Sequence, residues 1–264
     1  LNNCFTYNNL EVIETGYGIS LRPLALFASE VYRNSTLECF MPRVPAEGSY
    51  NPKDLEQVAR MHKAIAIILF KLEGQTIRRN PSFRMEHRLL LDKIRYDTGT
   101  IEIGGKEYKL KDCDFPTVDR ADPYKLSPEE ASVMSQLRFS FQQSEKLQRH
   151  VKFLYSKGGM YLCCNQNLLF HGCIPMEEDG SFTEFDLDGQ KLSGKAFIDY
   201  TESLARQGYY ARPDTPERQR GKDFLWFLWC GSSSPLFGRN KMATFERMLI
   251  GDKELDREGK NPYY

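Results

Sequence analysis

The chain of 264 residues is long enough for one large domain or two modest ones, and it can bury a substantial core. Its 36 lysines and arginines balance 36 aspartates and glutamates, so the formal net charge is zero. This balance argues against a broad nucleic-acid-binding face and against a polybasic membrane tether. The longest apolar run, residues 64–70, is far shorter than the roughly 20 residues that span a bilayer.

The seven cysteines have neither the even count of a disulfide framework nor the C-x2-C spacing of a zinc site. No signal peptide opens the chain. These features favour a reducing compartment, and we expect a cytoplasmic protein. The chain begins at Leu1 rather than at a methionine and stops abruptly after GKNPYY, so we expect a piece of a longer chain.

Helical patterns dominate the first half of the sequence. Residues 18–32 carry apolar side chains at helical spacing. Residues 51–80 open on an asparagine cap followed by a proline, and Pro81 bounds the long helix that this pattern predicts. A further short helix is predicted over residues 82–95.

The middle of the chain contains two strong local signals. Residues 100–110 alternate around a Gly-Gly pair, which predicts a β-hairpin. Ser127 is followed three residues later by Glu130, which is the pattern of a capping box at the start of a helix. We expect one long helix from there to the glycines that begin at Gly158.

The second half changes to a mixed pattern. Residues 160–164 and 167–172 are short apolar segments that predict buried strands, with two adjacent cysteines in the first of them. Residues 193–210 and 216–231 predict helices, and a loop rich in glycine and serine follows at 231–242. The expected fold class is therefore mixed α/β (α+β).

One histidine stands apart from the other three. His62, His87 and His150 lie in helical patterns and are interpreted as surface or partly buried helix residues. His171 lies where an apolar strand ends, and a glycine follows it. Ligands collect at strand ends in α/β sheets, and neutral imidazole binds manganese, iron or zinc. The residues alone leave a structural histidine and a metal ligand equally open.

The loop at 231–242, GSSSPLFGRNKM, is a candidate phosphate site. Its backbone N–H groups can form an anion-binding nest, and Arg239 and Lys241 add positive charge. The loop is not a Walker loop, and a plain surface turn is the alternative. Its three serines lack the G-x-S-x-G pattern of a nucleophile elbow, which argues against a catalytic serine.

Four segments together resemble a known enzyme family. YSKGGMYLCCNQNLLFHGCIP, GKAFIDY, LWFLWCGSSSPLFGRNKMATFER and the closing KNPYY are similar to the class III fructose-1,6-bisphosphatases of Firmicutes and Bacteroidetes. YNNLEVIETGYGISLRPLALFASEVY, near the start, resembles the segment that follows the G-N-H-D motif of that family.

The resemblance implies a four-layer α/β/β/α metallophosphatase sandwich with a largely helical insertion. Residues 1–139 would be the mostly helical insertion or cap with one hairpin, and residues 140–264 would be the second-half portion of the α/β domain. It also implies hydrolysis of the 1-phosphate of fructose 1,6-bisphosphate in gluconeogenesis, with two metal ions, expected to be manganese, activating water. His171 would be a metal ligand, Arg239 would hold phosphate, and Lys241 is the second choice for that role.

The sequence also departs from the family pattern. D-x-H, G-D-x-x-D-R-G, G-N-H-[DE] and a later G-H segment supply most metal ligands in the superfamily, and these residues contain none of them. We therefore expect this polypeptide to be inactive alone, and no catalytic residue is assigned. A phosphoprotein phosphatase and a non-catalytic helical interaction module are the alternatives. A sugar bisphosphate is the expected partner, and nucleic acid and membrane are not expected. Oligomeric state stays open, with a homo-oligomer as one alternative.

Overall fold

The structure is a computed structural model that describes residues 1–45, 48–187, 189–232, 234–257 and 259. The closing segment KNPYY, which contributes to the family resemblance, lies outside the described residues, as does Ser233 in the glycine- and serine-rich loop. All other segments that carry predictions for the site are described.

The described residues form nine α-helices and seven β-strands. The helices are α1 (Asn2–Thr6), α2 (Glu11–Tyr17), α3 (Arg22–Val31), α4 (Pro52–Arg79), α5 (Pro128–Gln143), α6 (Glu145–Lys157), α7 (Gly194–Tyr210), α8 (Pro216–Cys230) and α9 (Thr244–Leu249). The strands are β1 (Ile94–Arg95), β2 (Thr100–Ile103), β3 (Lys106–Lys109), β4 (Tyr161–Cys164), β5 (Asn167–Phe170), β6 (Phe185–Leu187) and β7 (Gln190–Leu192). They pair antiparallel in three small sheets, β1-β2-β3, β4-β5 and β6-β7. The predicted mixed α+β class is confirmed at this level.

The chain divides into two compact units, and each draws on three separate stretches of sequence. The first unit comprises Leu1–Gln75, Arg88–Lys152 and Phe245–Asp252. The second unit comprises Thr76–His87, Phe153–Thr244 and Lys253–Tyr264. The predicted division into 1–139 and 140–264 concerns the place of each segment in a larger sandwich, and it stays a prediction.

The first unit is built around α4, whose apolar face packs against α3 and α5. The shared core contains Leu24, Phe27, Ala64, Ile68, Val133 and Leu137. The long helix predicted before Pro81 is confirmed, and Gly74 lies inside it without ending it. A Cβ atom at Gly74 would lie 2.0 Å from Cδ1 of Tyr124, so the close approach of that ring explains the glycine.

Helix α4 also carries a histidine into the core of the first unit. His62 is 2% exposed, and its ring packs against the rings of Phe5 and Phe40. Its Nδ1 lies 2.8 Å from the carbonyl oxygen of Phe40. Burial lowers the pKa of His62 below its ordinary 6.5, although the hydrogen bond to Phe40 acts in the opposite direction. The helical position predicted for His62 is confirmed, but its side chain is buried in the core rather than at the surface or partly buried.

The lowered pKa of His62 gives an expected pH dependence of stability. The unfolded chain binds a proton at about pH 6.5 and the folded chain only at lower pH, so the free energy of unfolding should fall as the pH drops below about 6.5. Urea unfolding between about pH 5 and about pH 8 measures this slope. The slope should become shallower in His62→Gln. A slope in His62→Gln as steep as in the wild type would contradict the assignment.

The single long helix predicted after Ser127 is wrong in one respect. The capping box is present, because the Ser127 hydroxyl accepts the N–H of Glu130 and the Glu130 carboxylate accepts the N–H of Ser127. The helix is interrupted at Ser144, where ψ is 99°. The Ser144 hydroxyl donates to the carbonyl of Tyr17 at 2.6 Å and accepts the N–H of Leu147, so it ends α5 and caps α6.

The helix predicted over residues 82–95 is also wrong. This segment contains short 3₁₀ turns at Pro81–Phe83, Glu86–Arg88 and Leu91–Lys93, and it ends in strand β1. Arg84 has φ of +53°, which is left-handed and cannot continue a right-handed helix.

The second unit contains two helices in very close contact, α7 and α8. Both were predicted, and they approach through glycines: a Cβ atom at Gly221 would lie 2.2 Å from the backbone nitrogen of Gly208. Helix α8 begins at the cap Thr215, whose hydroxyl accepts the N–H of Arg218. Across the described residues, none of the helices has the length and apolar character needed to cross a bilayer.

Candidate functional site

His171 directly follows strand β5 in the second unit. The two predicted strands, β4 and β5, pair with each other and are joined through Asn165 and Gln166, which both have positive φ. The side chain of His171 is exposed. The strand end that the sequence predicts is therefore confirmed.

The predicted burial of these strands is wrong. Cys163 and Cys164 are exposed, and so are the apolar side chains of the pair, at 45% to 59% for Leu162, Leu168, Leu169 and Phe170. The reason is that, in the described residues, β4 and β5 pair only with each other. Successive side chains of a strand point to opposite faces, so apolar side chains lie on both faces of this hairpin.

The glycine after His171 brings its segment against the glycine- and serine-rich loop. A Cβ atom at Gly172 would lie 2.2 Å from the carbonyl oxygen of Pro235 and 2.8 Å from that of Leu236. The N–H of Cys173 donates to the carbonyl of Pro235 at 2.8 Å. Only glycine fits at this position, and the two segments that the sequence singled out are therefore in direct backbone contact.

The two predicted phosphate-binding residues follow this loop in chain order. Gly238 is buried with φ of +62°, and the exposed Arg239 comes directly after it. Lys241 is partly buried, and its Nζ donates to the carbonyl of Leu255 at 2.5 Å. This contact holds the ammonium group of Lys241 against the backbone.

An open cleft of about 940 Å³ lies beside the β4–β5 pair, and His171 is among the residues that line it. Helix α7 contributes Asp199, Glu202 and Arg206 to the same cleft. Glu202 pairs with Arg206 at 2.8 Å and accepts the N–H of Met160. These residues form the polar wall of the cleft opposite an apolar hairpin.

Asp199 is held as a carboxylate at this wall. A hydrogen bond from Lys195 lowers the pKa of Asp199, and the hydroxyl of Tyr161 on β4 donates to the same carboxylate at 3.0 Å. Sequence reasoning missed this wall. The signal was nevertheless present, because residues 195, 199, 202 and 206 are spaced by four, three and four and therefore share one face of a helix.

The described residues do not complete a metal centre. Among them, no group of three or more His, Cys, Asp or Glu side chains is arranged to hold a metal ion. The exposed imidazole of His171 fits one coordination position, and the other ligands of a complete site are not supplied by these residues.

Residues 176–182, MEEDGSF, form an acidic turn closed by a bridge between Met176 and Phe182.

Comparison with known proteins gives one consistent result. The chain is 52% identical over 263 residues to the class 3 fructose-1,6-bisphosphatase of Alkaliphilus metalliredigens, covering 99% of this chain and 40% of that protein. It is 52% identical over 258 residues to the enzyme of the same name from Clostridioides difficile, covering 98% of this chain and 39% of that protein. The chain thus spans about two fifths of the length of these curated relatives. No solved structure matches the chain.

The family model described as Firmicute fructose-1,6-bisphosphatase matches residues 1–264. Its match extends over the segment that contains His171, over the loop that contains Arg239, and over the helical first half that the sequence motifs covered least. With a match over its whole length, this chain belongs to the Firmicute fructose-1,6-bisphosphatase family.

Proposed function

We propose that the chain is part of a metal-dependent sugar bisphosphatase that hydrolyses fructose 1,6-bisphosphate to fructose 6-phosphate and phosphate in gluconeogenesis. The observation that carries this proposal is the family match over residues 1–264, together with relatives about half identical in sequence that bear this enzyme name. The contact between the His171 segment and the Arg239 loop supports it, because it joins a candidate metal ligand to a candidate phosphate site.

His171 is proposed as one metal ligand, and Arg239 as the residue that holds a phosphate of the substrate, with Lys241 as the second choice. A guanidinium offers two parallel N–H donors to phosphate oxygens, which a lysine does not. The metal proposed is manganese, whose chemistry when bound is to polarise water and a phosphoryl oxygen. Because the described residues lack the remaining ligands, the roles assigned here are binding and orientation alone.

We also propose that β4 and β5 belong to a four-layer α/β/β/α sandwich, in which residues 1–139 are the insertion. The exposed apolar side chains on both faces of this pair support the proposal. A two-stranded hairpin with such faces is marginal in water and would favour aggregation unless other strands and layers covered it. The relatives have about three fifths of their length outside the matched region, which is enough chain to supply them.

The proposed setting is the cytoplasm, with neither nucleic acid nor membrane as a partner. The odd number of cysteines, seven, supports a reducing compartment. Balanced charge supports the lack of a nucleic-acid partner. A homo-oligomer is compatible with these features and is proposed only as an alternative to a monomer.

The substrate assignment is tested by comparing two phosphate esters. The full-length protein that carries this chain, purified with manganese, should hydrolyse fructose 1,6-bisphosphate far faster than a phosphoserine peptide. The product should be fructose 6-phosphate, measured by a coupled assay, and chelation should remove the activity. Preferential hydrolysis of the peptide would instead establish a phosphoprotein phosphatase and overturn the sugar assignment. Failure to hydrolyse either ester would favour a non-catalytic interaction module.

A further inference from the structure

Ser234 lies in the glycine- and serine-rich loop that follows helix α8, and its side chain is fully buried at 0% exposure. The hydroxyl donates to the carbonyl of Leu228 at 2.7 Å. Leu228 is in the last turn of α8, where carbonyl groups have no partner inside the helix. The Ser234 side chain therefore supplies a hydrogen-bond donor to a carbonyl at the end of α8, which would otherwise be buried without a partner.

The same hydroxyl oxygen also shapes the loop that follows. It accepts the N–H of Leu236 at 3.2 Å and the N–H of Phe237 at 3.3 Å. The carbonyl of Ser234 accepts the N–H of Gly238 at 3.0 Å. These bonds close residues 234–238 into a compact turn, and Arg239 leaves it directly after the left-handed Gly238.

The segment that follows His171 packs against this turn. The carbonyl of Pro235 accepts the N–H of Cys173, and the missing side chain of Gly172 allows the two backbones to meet. The Cys173 thiol also points to the carbonyl of Ser234 at 3.8 Å. The turn thus has the candidate metal ligand on one side and the candidate phosphate ligand at its end.

We propose that Ser234 is a positioning residue, which fixes the Arg239 loop and the His171 segment relative to each other for phosphate binding. The inference rests on the proposed function for its catalytic meaning. It excludes a nucleophilic role for Ser234, because the hydroxyl is buried and both donates and accepts within the turn. The substrate feature recognised is a phosphate group held by Arg239.

The test uses Ser234→Ala in the full-length protein, with Ser135→Ala, at an exposed serine of α5, as the control. We expect Ser234→Ala to raise both the KM for fructose 1,6-bisphosphate and the inhibition constant of inorganic phosphate by about tenfold. Ser135→Ala should leave both constants unchanged. A purely structural serine would lower the active fraction and kcat while leaving both constants as in the wild type, and that result would overturn the proposal.

Gly172→Ala supplies a second variant, because it disturbs the same contact from the side of His171 without touching α8. Its Cβ atom must displace the carbonyl of Pro235, so KM and the phosphate inhibition constant should rise together here as well. This variant decides the outcome if Ser234→Ala does not fold. Wild-type values of both constants in a folded Gly172→Ala protein would count against the proposal.

Hydrogen exchange separates this inference from the proposed function, since it needs no turnover. In Ser234→Ala, amide exchange should increase both in residues 234–238 and in residues 171–175, because Cys173 donates to this turn. Exchange unchanged at 171–175 would refute the coupling even if the wild type hydrolyses the sugar. Conversely, increased exchange in both segments would support the coupling in a protein that hydrolyses only the phosphopeptide.

Discussion

Replacing His171 by alanine in the full-length protein is expected to reduce the proposed manganese-dependent hydrolysis of fructose 1,6-bisphosphate by at least about a hundredfold. Loss of a residue that only supports a metal ligand costs about 10- to 100-fold in affinity or activity, and loss of a ligand itself should cost no less. The side chain of His171 is exposed, so its removal breaks no packing contact in the core. The loss should therefore appear in metal binding and turnover and leave the free energy of unfolding of the metal-free protein nearly unchanged.

His150→Ala is the matched control for this experiment. His150 is an exposed histidine whose Nδ1 lies 3.3 Å from the hydroxyl of Tyr17 in the first unit, and its replacement should leave turnover unaltered. Metal content of the purified proteins, measured by mass spectrometry, should fall in His171→Ala and stay at the wild-type level in His150→Ala. Full activity and full metal content in His171→Ala would remove His171 from the site altogether.

The elements that sequence could predict are those whose cause is local. The Gly-Gly pair between β2 and β3 has two positive φ values, as its turn requires, and the capping box at Ser127 forms as its spacing indicates. Pro52 begins α4 and Pro81 follows its end, and each acts through the fixed φ and the missing N–H that its own ring imposes. In each case the residues that determine the conformation lie within a few positions of it.

The elements that sequence missed depend on partners distant along the chain. Ser144 interrupts a helical pattern because its hydroxyl reaches Tyr17, which is 127 residues away. The apolar sequences of β4 and β5 predict buried strands, because apolar strands are ordinarily covered by other elements. Whether a strand is covered depends, however, on segments distant from it in the sequence. A sequence window contains no information about either partner.

The candidate site divides in the same way. His171 and Arg239 were found because their residue types carry chemistry and their segments resemble a family. Gly172 and Ser234 have no role assigned from sequence, because the role of a small residue cannot be predicted until the backbone that it approaches is known. Only the structure brings Gly172 against Pro235 and turns the Ser234 hydroxyl toward Leu228.

Glu130 combines both kinds of information. The sequence predicts its place in the capping box. The ammonium group that neutralises its carboxylate belongs to Lys71 on α4, 59 residues away in the sequence. Nζ of Lys71 lies 2.7 Å from Oε2 of Glu130 and also donates to the carbonyl of Thr117 at 2.6 Å. Both side chains of the pair are 0% exposed.

Lys71→Met is therefore expected to lower the free energy of unfolding by about 3–5 kcal/mol, because it leaves the Glu130 carboxylate buried without its counter-ion. Urea unfolding at about neutral pH measures the loss. Arg95→Met provides the contrast. Arg95 pairs with Glu102 and Glu107 where all three side chains are more than half exposed, and its loss should cost less than about 1 kcal/mol. Equal losses in the two variants would contradict the role assigned to burial.

The double variant Lys71→Met with Glu130→Gln identifies the origin of the loss. Glutamine removes the buried charge while its carbonyl oxygen can still accept the N–H of Ser127, so the helix cap is retained. If the isolated carboxylate causes the destabilisation, the double variant should be more stable than Lys71→Met alone. If the double variant is as unstable as the single one, the loss comes instead from the packing of the lysine stem and from the unpaired carbonyl of Thr117.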